Sequence, residues 1–142
     1  MATCLSAELM TAQDGQARDV SAYDLVGIGS GIYFGRHHSS ILRLVQSWTQ
    51  PPRRVFLFSS AGLPFMRFIQ HAALRTALKQ KGCEIVGEFC CRGWDTVGPL
   101  WLFGGINRKH PNQRDLERAG NFAAAIASQH CPPAAPTETP GK

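Results

Sequence analysis

The sequence predicts an α/β protein built on a parallel sheet. Short runs of β-branched and aromatic residues alternate with longer stretches of helical periodicity, the pattern of strands joined by crossover helices. The short runs are apolar nearly throughout, as strands covered on both faces require. The chain has 142 residues, of which 44% are apolar and 18% charged. That composition supports one core and excludes a disordered, collagen-like or coiled-coil chain.

The first strand is expected over residues 23–29, read Tyr-Asp-Leu-Val-Gly-Ile-Gly, leading into a glycine-rich loop that ends at Gly35. A helix follows from about His38 to Trp48, with Ile41, Leu42, Val45 and Trp48 at helical spacing, stopped by Pro51 and Pro52. Residues 54–60 form the second strand and enter a small-residue loop, Ser59-Ser60-Ala61-Gly62. A helix is expected over 65–81, with Ile69, Ala72, Ala73 and Ala77 on one face, basic residues in its last turn and Gly82 just past it. The third strand spans 83–90. Residues 92–110 make a long aromatic, glycine-rich connection of the kind that is functional or docks across a sheet. The last helix opens at Asn112, with Asp115 as its capping-box partner, and its stripe is Leu116, Ala119, Ala123, Ile126 and Ala127. It ends near Gln129. Residues 1–130 read as one domain, and 131–142 as a disordered, proline-rich tail.

Fifteen lysines and arginines against ten acidic residues give a net charge of +5. The basic residues are dispersed, as at Arg53-Arg54, Lys79, Lys81 and Arg108-Lys109, and form no stripe interleaved with aromatics. A nucleic-acid surface is therefore not expected. No apolar run approaches the roughly 20 residues of a membrane span, and the opening Met1-Ala-Thr-Cys-Leu lacks the basic leader and apolar stretch of a secretory signal. Five cysteines, an odd number without a C-x-x-C pair, read as reduced thiols of a cytoplasmic protein. His37 and His38 are adjacent, as are Cys90 and Cys91, so each pair diverges and no zinc site is expected.

The two small-residue loops each follow a strand and precede a helix, so both belong at the carboxyl edge of the sheet, where open α/β sheets bind ligands. Backbone amides and hydroxyls at Ser30-Gly31 and Ser59-Ser60 suit a polar heterocycle, and Tyr33, Phe34 or Trp94 could cover its flat face. The plainer alternative is that the glycines only relieve turn geometry and the aromatics cap a core.

Three segments, 23–35 (YDLVGIGSGIYFG), 82–96 (GCEIVGEFCCRGWDT) and 104–116 (GGINRKHPNQRDL), resemble the flavodoxin family, in particular its small single-domain bacterial members. The resemblance runs from about residue 4 to residue 128. It implies a flavodoxin-like, three-layer parallel sheet in the order 2-1-3-4-5, non-covalently bound FMN, and electron transfer. By that resemblance, 23–29, 54–60 and 83–90 are the third, fourth and fifth strands. Ser30, Gly31, Ile32, Tyr33 and Phe34 lie on one side of the flavin ring, with Tyr33 stacking on it. Ser59, Ser60, Ala61 and Gly62 contact its edge from the other side. No catalytic residue is implied.

The same resemblance makes residues 2–10 the back half of a first helix and 16–20 a small edge strand. The family's first strand and phosphate-binding loop have no counterpart, so the fold is expected to be N-terminally truncated. FMN binding is then weakened or lost if Met1 is the true start; otherwise the start lies upstream, or a partner chain or rearranged sheet fills the gap. The basic balance also departs from the usual acidity of electron-shuttling flavodoxins and leaves the redox partners unspecified. Two alternatives on the same fold are a flavin-dependent quinone or protoporphyrinogen-type oxidoreductase, using 92–110 to shape its site, and a flavin-free structural remnant.

Overall fold

The computed structural model describes residues 1–93 and 110–130. Their centre is an open, mostly parallel sheet of four strands in the order β2-β1-β3-β4. Strands β1 (Val26–Tyr33), β3 (Arg54–Ala61) and β4 (Glu84–Arg92) run parallel, while β2 (Arg36–His37) is a two-residue stub antiparallel to the end of β1. Helix α2 (Ser39–Ser47) links β2 to β3, α4 (Ala72–Gln80) lies between β3 and β4, and α5 (Gln113–His130) follows β4 in the chain.

Strand alternation decides the layers. Val26, Ile28, Val55 and Leu57 face one side and join a core with Ile41, Leu44 and Val45 of α2 and Leu74 and Leu78 of α4. The intervening Phe56 turns to the other side, where it and Phe89 meet Phe122 of α5 with ring centroids 5.9 and 5.4 Å apart. Helices thus cover both faces, which is why the strands read as apolar runs.

Two helix ends follow from local chemistry. In α5, Asn112 Oδ1 accepts from the Asp115 N–H and Asp115 Oδ2 accepts from the Asn112 N–H, each at 3.1 Å, closing the expected capping box. In α2, His38 is the N-cap, its Nδ1 accepting from the Ser40 N–H at 3.2 Å.

Several expectations need correction. The stripe of α5 keeps Ala123 and Ile126 buried and Ala119 and Ala127 half-buried, as expected, but Leu116 points outward and Asp115 is buried in its place. The helix over 65–81 is broken into a 3-10 turn (Pro64–Met66), a short α3 (Arg67–Gln70) and α4. Its buried positions are Gln70, His71, Leu74 and Leu78; Ile69, Ala72 and Ala73 are exposed and Ala77 half-buried, because burial of His71 sets the rotation of α4. Near the start, α1 spans only Ala2–Leu5 and stops at Ser6, whose φ is 48°. No strand forms over 16–20. Asp14 instead accepts from the Thr11 N–H and hydroxyl, tying the chain just before a 3-10 turn at Asp14–Ala17, and Asp19 caps a second turn at Val20–Ala22 by accepting from the Ser21 N–H.

The two expected loops are also largely strand. Ser30, Gly31, Ile32 and Tyr33 belong to β1, and only Phe34 and Gly35 turn the chain. Ser59, Ser60 and Ala61 belong to β3, because the ladder to β4 continues through Ser59↔Cys90, Ser60↔Cys91 and Ala61↔Arg92. On its other edge β1 pairs with β2 only at Ile32 and Tyr33, and no other strand among the described residues pairs there. The connection at 94–109 with its Trp94, and the tail at 131–142, lie outside the described residues. No helix among the described residues is long and apolar enough to cross a membrane.

Candidate functional site

Parallel pairing brings the two predicted groups to one place: Ser30 stands opposite Ser59, and Gly31 opposite Ser60, at the carboxyl ends of β1 and β3. Both serine hydroxyls belong to the face that carries Ile28 and Leu57, the side covered by α2 and α4. There they cap the apolar core with polar bonds.

The Ser30 hydroxyl donates to the Gly31 carbonyl at 2.7 Å, and its oxygen accepts from the His38 N–H at 3.1 Å. The same oxygen lies 3.1 Å from His37 Nδ1. With the serine proton committed to Gly31, Nδ1 is the donor. His37 is 3% exposed, and burial first, then the neighbouring His71, pushes its pKa down to about 4. It is neutral at pH 7, and its Nε2 is a buried acceptor without a partner among the described residues.

Ser59 belongs to a longer chain of bonds. Its Oγ lies 2.7 Å from His71 Nε2, and His71 Nδ1 lies 3.0 Å from Glu88 Oε2. Arg75 donates to both Glu88 oxygens, at 2.8 and 2.9 Å. Burial alone would raise the Glu88 pKa, but hydrogen bonds from Arg75 and His71 outweigh it and hold the carboxyl below its ordinary range. An ionised Glu88 fixes the His71 tautomer: Nδ1–H donates to the carboxylate and Nε2 accepts the Ser59 proton. Burial lowers the His71 pKa against the pull of Glu88, so His71 is neutral too. The order Ser–His–Glu is that of a hydrolase triad. Here, however, Ser59 is 4% exposed and His71 is 0% exposed, so the chain acts as a polar brace between α4 and the sheet.

The accessible part of the site is the β1–β2 hairpin. Tyr33 is 53% exposed and Phe34 83%. Phe34 and Gly35 both have positive φ, 49° and 77°, as the two-residue turn between antiparallel strands requires. A cleft of about 420 Å³ runs along β1, and Ser30, Gly31, Tyr33, His38 and Ser40 frame one end of it. A Cβ at Gly31 would come within 3.2 Å of the Tyr33 ring, so the glycine lets that ring lie close to the strand. On the β3 side, Ser60 and Gly62 are half-buried and Ala61 is buried, its carbonyl accepting from the Gly93 N–H at 2.9 Å. Ala61 therefore offers no side-chain surface to a ligand.

Sequence reasoning placed Ser30 and Ser59 together but missed His71, Arg75 and Glu88. The available signal was His71 and Arg75, four apart on one helix face, with an acidic residue inside an otherwise apolar strand. No group of three metal-ligating side chains is gathered among the described residues.

An uncharacterized protein of the archaeon Methanocaldococcus jannaschii is 49% identical to this chain over 107 residues, covering 75% of this chain and 71% of the archaeal protein. The chain belongs to the same family as that protein. No protein-family model matches the chain.

Proposed function

We propose that this chain is a flavodoxin-like FMN-binding electron-transfer protein of the cytoplasm, with the flavin ring at the carboxyl ends of β1 and β3. The observation that carries this reading is the exposed Tyr33–Phe34 pair beside the cleft, at the point where Ser30 pairs with Ser59 and Gly31 with Ser60. A bulky aromatic held in the left-handed region costs about 1–2 kcal/mol, and such strain concentrates at ligand sites.

On this reading the exposed Tyr33 ring, lying over Gly31, covers one flat face of the flavin, beside the cleft that runs along β1. Ser59, committed to His71, holds the end of β3 in place. The described residues include no glycine-rich helix start to cradle a phosphate, and the Ser40 N–H of α2 is already capped by His38. When bound, the flavin supplies stepwise acceptance and release of electrons.

Absorption titrations of the purified chain with FMN and with riboflavin test the reading. Both flavins are expected to bind, with dissociation constants within about tenfold of each other, since the ring dominates recognition. Tyr33→Ser should weaken both about equally. Uptake of neither flavin would overturn the proposal.

A further inference from the structure

Away from the cleft along β1, the connection from β3 to α4 carries its apolar side chains on the outside. Residues 63–69 read Leu-Pro-Phe-Met-Arg-Phe-Ile, and none of them is buried. Phe65, Phe68 and Ile69 are 75%, 65% and 67% exposed. The fold itself holds them out: Gln70 Nε2 donates to the Leu63 carbonyl at 3.2 Å and ties the two ends of the segment together, while Gln70 and His71 turn inward. Single exposed apolar residues are ordinary on a protein surface, but a contiguous group of this kind marks an interaction site.

The surroundings are basic. No aspartate or glutamate occurs between Asp24 and Glu84, while arginine and lysine recur through that stretch. Arg67 stands inside the apolar segment with its guanidinium 5.1 Å from the centre of the Phe68 ring, and it pairs with no carboxylate among the described residues. Helix α3 packs beside β2, which brings the exposed Arg36 and the hairpin of Phe34 to the same end of the sheet.

We propose that this face docks peripherally on an anionic lipid surface, with Phe65, Phe68 and Ile69 inserted at headgroup depth and Arg36 and Arg67 on the lipid phosphates. Apolar and aromatic side chains interleaved with arginine are the chemistry of an interfacial anchor. The planar guanidinium suits phosphate, and the contact between Arg67 and Phe68 sets charge and ring at one depth, as the boundary between headgroup and acyl chain requires. Shape favours lipid over protein: side chains this exposed protrude, and a protein partner would need a matching hollow for each, whereas a fluid leaflet closes around them. A second copy of the chain fits less well, because a twofold contact would set this basic face, without a carboxylate from 25 to 83, against itself.

The test is co-sedimentation of the full chain with vesicles of phosphatidylcholine alone and of equal parts phosphatidylcholine and phosphatidylglycerol, with hydroxyl-radical footprinting of the same samples. Phe65, Met66 and Phe68 should be oxidised in the free chain and protected on the mixed vesicles. Binding to the mixed vesicles should be about tenfold or more tighter than to the neutral ones, and Arg36→Gln with Arg67→Gln should erase most of that preference. Phe65→Ser with Phe68→Ser changes only exposed side chains, so its thermal melt should match the parent chain while vesicle binding falls about tenfold or more. Absence of binding, or equal binding by the phenylalanine variant, which would mean attraction through net charge alone, would overturn the proposal. So would a free chain in which these residues escape oxidation, self-association that protects them, or capture of polyglutamate through the same phenylalanines in place of the vesicles. The substituted residues lie outside the flavin contacts, so none of these outcomes depends on flavin uptake.

Discussion

Glu88 on β4 accepts from both the buried His71 and Arg75, tying α4 to the sheet. Glu88→Ala strands the buried His71 Nδ1–H, while Arg75 can turn to solvent. The cost should be about 1–3 kcal/mol in urea unfolding, and Glu88→Gln, which keeps an acceptor, should cost less. Histidine burial also sets an acid response. His37 titrates near 6.5 when unfolded and at about 4 when folded, and His71 is shifted in the same direction. The unfolded chain therefore binds more protons in this window, so stability is full above pH 6.5 and falls as pH drops toward 4. For His37 the loss is on the order of 3 kcal/mol. Unfolding curves at pH 7, 5.5 and 4.5 should show it, and His37→Gln should flatten the slope. Glycine packing gives a further prediction: a Cβ at Gly29 would collide with the Phe58 carbonyl, whereas at Gly27 it meets only the Phe56 ring. Gly29→Ala should destabilise by about 2–3 kcal/mol, and Gly27→Ala by less. These roles were hidden in the sequence because each depends on a partner from a different element.

Among the elements, those governed by local rules were legible. The capping box of α5 and the proline stop after α2 need only neighbouring residues, and both hold. The three parallel strands were legible as well, but their ends were not, and the edge strand expected over 16–20 is replaced by turns. Small residues at 30–31 and 59–61 suggest loops, yet pairing with parallel partners keeps them in the ladder. The long helix over 65–81 failed for a similar reason, since the demand of His71 for Ser59 and Glu88 outweighs the periodicity of Ile69, Ala72 and Ala73. The hairpin turn sits between these cases. Glycine at position 35 is ordinary there, but Phe34 in the left-handed region is not. Phe34→Asn should stabilise the fold by about 0.5–1 kcal/mol in thermal melts. On the flavin reading it should also weaken flavin uptake.

At the scale of the whole molecule, the alternation of apolar runs and helices predicted an α/β sheet with covered faces, and the four-stranded, mostly parallel sheet has that form. Its carboxyl edge gathers Ser30, Gly31, Ser59 and Ser60, and the exposed aromatics rise beside them. Sequence could place those residues on one edge because parallel strands must share it. It could not place the hydroxyls, which turn inward to His37 and His71 and leave Tyr33 and Phe34 as the exposed side chains beside that edge. Flavin bound at this edge would be located by backbone amide chemical shifts of the chain during titration with FMN. The expected result is shifts concentrated at Ser30 to Gly35 and Ser59 to Gly62; no shifts there, or shifts centred elsewhere, would overturn the flavin reading.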